Sequence, residues 1–193
     1  MNLGIYGGTF NPPHLGHLIV AESVRDQLRL DKILFTPSFS TPNKYDPLLA
    51  PAPDRLAMTQ LAIEGNPDFE ISDLEIRRTG LSYTIDTIMG LENLFPESKL
   101  SLLIGSDNFL DFQSWKSPRE ILARVQLVVM NRPGIAAPPA RNEYSRLVTF
   151  VNVPQIGISG TDIRRRIKLQ RSIRYLVPRS VEEYILRHKL FQD

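Results

Sequence analysis

The chain has 193 residues, 42% hydrophobic and 23% charged, which fits one globular domain with a proper core and excludes a fibre, a disordered tail and a membrane span. Lys and Arg total 23 against 21 Asp and Glu, a formal net charge of +2, so bulk charge gives no nucleic-acid signal and none is expected as a partner. Without cysteine there is no disulfide framework and no thiolate nucleophile or metal ligand, and the opening MNLGIYGG lacks the basic and apolar regions of a leader; a cytoplasmic protein is expected, with no membrane association.

Residues 3–6 form an apolar run that stops at Gly7 and Gly8, and Leu15, Leu18, Ile19, Val24 and Leu28 then recur near helical spacing, which predicts a strand, a glycine turn and a helix over 15–30. Residues 32–36 read as the next strand, and the prolines at 37, 42, 47, 51 and 53 mark a loop. From Asp54, the residues Leu56, Met58, Leu61 and Ile63 predict a helix that Gly65, Asn66 and Pro67 stop. Residues 69–77 alternate as one or two strands. Ile85, Ile88, Leu91 and Leu94 fall at three-residue steps, a helical pattern over 83–94. A buried strand over 100–104 closes at Gly105, short helical stretches run through Trp115 and over 118–123, and 126–130 is another strand. Residues 148–153 give a last strand, and helices are expected over 160–169 and 181–190.

Apolar strands alternating with amphipathic helices argue for an α/β fold, a parallel sheet with helices on both faces. No repeat or low-complexity tract divides it, so one domain over 1–193 is expected, with 159–193 as a C-terminal helical part. Ligands of such sheets bind at the carboxyl ends of the strands, where the first glycine turn sits.

That turn is Gly7-Gly8-Thr9-Phe10-Asn11-Pro12-Pro13-His14-Leu15-Gly16-His17. Its glycines allow close backbone approach, and the helix N-terminus behind it offers unpaired N–H groups to an anion, so a phosphate is the natural guest. Two of the three histidines in the chain fall here, three apart on one face of the first helical turn. Zinc is the competing reading, but these two lack further ligands nearby and His188 belongs to a distant helix; no metal-binding residues are assigned. The turn lacks the Gly-Lys-Ser/Thr end of a P-loop and the glycine spacing of a dinucleotide fingerprint. Near the other end, Ile158-Ser159-Gly160-Thr161-Asp162-Ile163-Arg164 places a hydroxyl cap before a helix and an arginine within its first turns, a second way to hold phosphate. The basic stretch 164–174 reads as a solvated helix face beside a triphosphate; on charge alone it could serve RNA.

The His14-Leu15-Gly16-His17 element resembles the (H/T)xGH motif of the nucleotidyltransferase superfamily, whose fold is a Rossmann-like parallel sheet, and 158–164 resembles that superfamily's I-S-S/G-T-x-I-R element. Three further segments are similar to bacterial nicotinate-nucleotide adenylyltransferases: Gly80 to Thr87 (GLSYTIDT), Ile104 to Phe109 with Trp115 eight residues after Asp107, and Tyr175-Leu176-Val177-Pro178 with Val181, Tyr184 and Ile185. The resemblance spans essentially the whole chain. It implies transfer of AMP from ATP, with Mg²⁺, to nicotinate mononucleotide, giving nicotinate adenine dinucleotide and pyrophosphate in NAD biosynthesis. It implies that Gly8, Thr9 and Phe10 line the nucleotide cleft, His14 and His17 contact the ATP phosphates, Gly105 and Asp107 serve the adenosine side, and Ser159, Thr161 and Arg164 grip the triphosphate. Thr84, Thr87 and Trp115 would face the nicotinate ring and Lys44 the mononucleotide phosphate. Nicotinamide mononucleotide or phosphopantetheine as acceptor, and a non-catalytic nucleotide- or RNA-binding module, stay open, as does a homo-oligomeric state. Asn11, Asn43, Gly160 and Gln170-Arg171 depart from the family's commonest pattern. Asn43 implies a weaker loop contact and Gly160 one hydroxyl fewer, hence slower turnover without a change of reaction class.

Overall fold

The computed structural model describes residues 1–41, 46–131 and 143–192. Among these, six strands form one parallel sheet: β1 (Asn2–Gly8), β2 (Lys32–Pro37), β3 (Phe69–Ile71), β4 (Lys99–Gly105), β5 (Gln126–Met130) and β6 (Thr149–Val151). Their order is β3-β2-β1-β4-β5-β6, and every pairing is parallel. The chain starts at the centre, builds outward through β2 and β3, then returns to lay β4 on the other side of β1. The strand order therefore reverses between β1 and β4, and a crevice opens past their carboxyl ends. Both strands end there on a glycine, Gly8 and Gly105.

Alternation along the strands supplies two cores. Leu3 and Ile5 of β1, Leu100, Leu102 and Ile104 of β4, and Leu127 and Val129 of β5 pack with Ile85, Ile88 and Leu91 of α4 (Thr84–Leu94), with Phe109 of α5 (Ser106–Leu110), with Phe112 and with Ile121 of α6 (Pro118–Arg124). The intervening Tyr6, Leu103, Val128 and Met130 meet Ala21 and Val24 of α1 (Leu15–Leu28) on the opposite face. Side chains two apart share a face of the pleat, so both faces are apolar and both are covered by helices. The expected α/β architecture is the one observed.

Three local differences from the sequence reading have physical causes. Helix α1 stops at Leu28 because Arg29 takes a left-handed conformation (φ 51°) and closes the last carbonyls. The alternation at 69–77 yields only the short β3, then a helix, α3 (Leu74–Arg78), with Glu75 in its first turn and Arg77 and Arg78 in its last; that charge order suits the helix dipole, and five residues are too few to show a period. Helix α2 (Ala52–Ile63) buries Arg55, Met58, Thr59, Ala62 and Ile63, so its inner face is centred on Arg55 rather than Leu56.

Helices α7 (Gly160–Lys168) and α8 (Arg179–Arg187) pack on α2 through Ile163, Ile167, Val181 and Ile185 against Met58 and Ala62. Tyr184 Oη donates to Asp54 Oδ1 at 2.8 Å, and burial with this carboxylate pushes the phenol pKa up to about 12. No helix among the described residues is long and apolar enough to cross a membrane.

Candidate active site

A cavity of about 900 Å³ fills the crevice, large enough for drug-sized or nucleotide-sized ligands. Its wall contains Gly8, Thr9, Phe10, His14 and His17 from the first turn, and Gly105 and Asp107 at the end of β4. Ser159, Thr161 and Arg164 of the α7 start, and Thr84, Thr87 and Trp115, complete it. Lys44 lies outside the described residues. Residues as far apart in the chain as Asn11 and Arg164, 153 positions, thus converge because most of these segments follow a strand end or open a helix at the same edge of the sheet.

The histidine turn is tightly ordered. His14 is the N-cap of α1 and His17 its third residue; their rings stack with centroids 3.7 Å apart at 23°. His17 Nδ1 accepts from the His14 backbone N–H at 3.1 Å, which leaves the proton of the neutral ring on Nε2. Phe10, held at φ 46°, sets its ring edge-on to His17 at 5.1 Å and to Tyr6 at 5.8 Å. Gly16 lies beneath the stack, where a Cβ would come 3.0 Å from His14 Nδ1 and press that ring by a few tenths of an ångström.

At the α7 start, the Ser159 hydroxyl accepts from Asp162 N–H at 3.1 Å, the expected cap. Asp162 binds Arg165 and Arg166 along the helix, and this draws its carboxyl below the ordinary carboxylate range, Arg166 first and Arg165 next. Those two arginines therefore belong to an exposed helix-surface ion-pair group. Arg164 turns inward instead, donating from Nη1 to Asn11 O at 2.8 Å and from Nη2 to Asp46 Oδ2 at 3.0 Å. Asn11 also donates to Leu48 O and accepts from Ala50 N–H, both at 3.0 Å, a pairing of donor and acceptor that an ionised aspartate could not make.

The same junction explains Gly160. A Cβ there would lie 2.8 Å from the Asn11 carbonyl oxygen and 3.4 Å from Arg164 Nη1. The missing Cβ, rather than the missing hydroxyl, is thus what gives the Arg164–Asn11 contact its room in this chain. Gly160→Ser is expected to cost about 1–3 kcal/mol, the usual range for an overpacked site, and to raise the ATP KM; a thermal melt together with an ATP titration checks both. An unchanged melting point would show that the turn accommodates the side chain.

Also on the cavity wall, Tyr83 caps α4 and Lys116 Nζ sits 4.6 Å above its ring while pairing with Asp86 Oδ2 at 3.1 Å. Trp115 lies 5.4 Å from Phe112 between ring centroids. The Thr87 hydroxyl is already committed, donating to Glu75 Oε1 at 2.6 Å and accepting from Arg78 Nη2 at 3.3 Å.

Sequence reasoning did not single out two residues here. Arg55 is only 1% exposed and donates to four backbone carbonyls: Ala50 at 3.0 Å, Thr9 at 2.8 Å, Ser38 at 2.6 Å and Phe39 at 2.9 Å. Burial pushes its pKa down to about 10, with Glu75 opposing, so it stays charged at neutral pH. Glu75 is 7% exposed and lines the cavity; burial raises its pKa while hydrogen bonds from Ser82 and Thr87 and the charges of Arg78 and Arg55 pull it down. The available signals were an arginine in phase with Met58 and Ala62, and an acid-then-base order in a five-residue stretch.

The residues 5–166 match the cytidylyltransferase-like family model, and the chain belongs to this family of nucleotidyltransferases. A Salinibacter ruber protein named probable nicotinate-nucleotide adenylyltransferase is 42% identical over 192 residues, covering 100% of this chain and 98% of that one. A Thermus thermophilus protein of the same name is 41% identical over 192 residues, covering 100% of both chains. The chain is a member of the nicotinate-nucleotide adenylyltransferase family that these relatives represent. The solved structure of Plasmodium falciparum nicotinic acid mononucleotide adenylyltransferase complexed with NaAD superposes with a TM-score of 0.79 over 98% of this chain and 97% of that one. At 18% identity that likeness speaks for the fold.

Proposed function

We propose that this enzyme transfers AMP from ATP to nicotinate mononucleotide, releasing pyrophosphate and forming nicotinate adenine dinucleotide. One observation carries the reading: the histidine turn, the α7 start, the Tyr83–Thr87 segment and Trp115 all line one cavity. A phosphate oxygen of the mononucleotide attacks the α-phosphorus in line, the bond to the bridging oxygen breaks, and pyrophosphate leaves with its electron pair. No covalent enzyme intermediate is required.

The protein's part is alignment and charge neutralisation. His14, His17 and first-turn N–H groups of α7 face the triphosphate, with Ser159 and Thr161 at its edge. Arg164 meets a phosphate by exchanging one anion, Asp46, for another. The acceptor's carboxylate meets N–H groups at the α4 start, which a helix cannot bond internally, near the charge of Lys116. No group of three or more His, Asp or Glu side chains among the described residues forms a metal cage, which suits Mg²⁺ carried largely by substrate phosphates and water. When bound it supplies neutralising charge at the triphosphate. The chain acts as one domain over 1–193, a reading supported by Arg164 bonding back to the first turn.

The test is pyrophosphate release from ATP and Mg²⁺ with nicotinate mononucleotide, nicotinamide mononucleotide, phosphopantetheine or no acceptor in parallel. Release with nicotinate mononucleotide alone is the expected result. Equal release with the amide makes the enzyme dual in specificity, and silence with every acceptor from protein that still binds ATP overturns the catalytic reading.

A further inference from the structure

Around the Glu75 carboxylate a chain of polar contacts links the two halves of the cavity. The Thr87 hydroxyl donates to Glu75 Oε1 at 2.6 Å, and Ser82 and Thr87 both lower the carboxyl's pKa against the rise that burial causes. Thr87 closes the first turn of α4, so the carboxylate holds the far end of the segment that carries Tyr83 and Thr84. Ser82 Oγ also accepts from Phe39 N–H at 3.0 Å, and Ser82 N–H donates to Ser40 O at 2.8 Å. Phe39 O and Ser38 O are in turn held by Arg55, which also holds Thr9 O of the histidine turn.

A buried carboxylate is a costly way to hold a threonine, because an apolar or amide side chain could fill the space without desolvating a charge. An ionised carboxylate offers what those cannot: acceptor capacity on two oxygens, with no proton of its own to misdirect a hydroxyl. The Thr87 hydroxyl, 2.6 Å from Glu75 Oε1 and 3.3 Å from Tyr83 O, thereby aims its proton at Glu75. The α4 start is pinned, and Thr87 presents to the cavity a hydroxyl whose proton is already spent. Arg78, donating to Thr87 at 3.3 Å, faces the carboxylate's charge across that hydroxyl.

We propose that Glu75 is a positioning residue for the acceptor half of the site: it clamps Thr87 so that the first turn of α4 is preformed for the mononucleotide, and Arg55, through Phe39 and Ser82, couples that turn to the histidine turn. This rests on the adenylyltransferase reading above. It deepens that reading by separating a residue that shapes acceptor binding from the groups that meet the reacting phosphates.

The experiment is two-substrate kinetics on the full chain for wild type, Glu75→Gln, Thr87→Val and the double variant, with thermal melts alongside. Glu75→Gln is expected to raise the acceptor KM by more than about fivefold while the ATP KM stays within about twofold, a split that general loosening would not produce. Thr87→Val is expected to act in the same direction, and the double variant to be no worse than Glu75→Gln alone, because the two groups form one contact. An unchanged acceptor KM in Glu75→Gln overturns the proposal, as do equal rises in both KM values or strict additivity in the double variant. If Glu75→Gln does not fold, Thr87→Val carries the test alone, with the same split expected, and an unchanged acceptor KM or equal rises in both KM values overturning the proposal. Wild-type protein that releases no pyrophosphate with any mononucleotide overturns the adenylyltransferase reading instead, so the two failures are distinct.

Discussion

His17→Ala is expected to lower kcat by more than about tenfold, a threshold set below the roughly 100- to 1000-fold loss usual for removing one preorganised donor from a developing oxyanion, with a smaller change in the ATP KM. The ring is held from three sides. It stacks on His14, its edge meets Phe10 and Tyr6, and its Nδ1 accepts the His14 N–H. The last contact fixes the tautomer, so Nε2 carries a proton without reorganisation when negative charge grows on the leaving pyrophosphate. His17→Asn separates this role from the helix cap: the amide oxygen can take over the His14 N–H, but the amide nitrogen does not extend to the Nε2 position. It is expected to melt close to wild type and to lose kcat about as severely as His17→Ala. Steady-state pyrophosphate release at saturating ATP measures both, and a kcat equal to wild type in either variant removes His17 from the mechanism.

What the sequence disclosed, and what it hid, divides along the range of the interactions. The glycine turn with His14 and His17, the stretch around Asp107, the Thr84–Thr87 helix start and the Ser159 cap are short runs at strand–helix junctions, and their residue types announce their chemistry locally. A parallel sheet then gathers such junctions at one edge, so placing the strands sufficed to gather the site. Arg55 and Glu75 work differently. The partners of Arg55 are backbone carbonyls up to 46 positions away, and a carbonyl leaves no signature in residue identity. Glu75 sits in a five-residue helix that alternation had marked as strand, where no period can form. Gly160 was legible as a departure and misleading as to cause: a lost hydroxyl is visible in a sequence, whereas the Asn11 carbonyl 2.8 Å from its missing Cβ is not.

Arg55→Met carries the largest expected loss of stability, about 3–5 kcal/mol, the range for breaking a buried charged network by removing one partner. The side chain is nearly isosteric along its stem, so the loss comes from four carbonyls left without a donor and from Glu75 losing an opposing charge. For a chain of this length that corresponds to a fall in melting temperature of roughly 10 °C. Arg55→Lys is expected to recover part of it, since an ammonium keeps the charge but presents three donors from one point to carbonyls arranged around a planar fork. The kinetic signature should differ from that of Glu75→Gln. Arg55 holds Thr9 O on the ATP side and Phe39 O on the acceptor side, so folded Arg55→Lys should raise both KM values, whereas loss of the Glu75 clamp should raise only one. A melt of Arg55→Met within about 1 kcal/mol of wild type would mean that the carbonyls find other partners, and that the buried arginine is a passenger in the loop it spans.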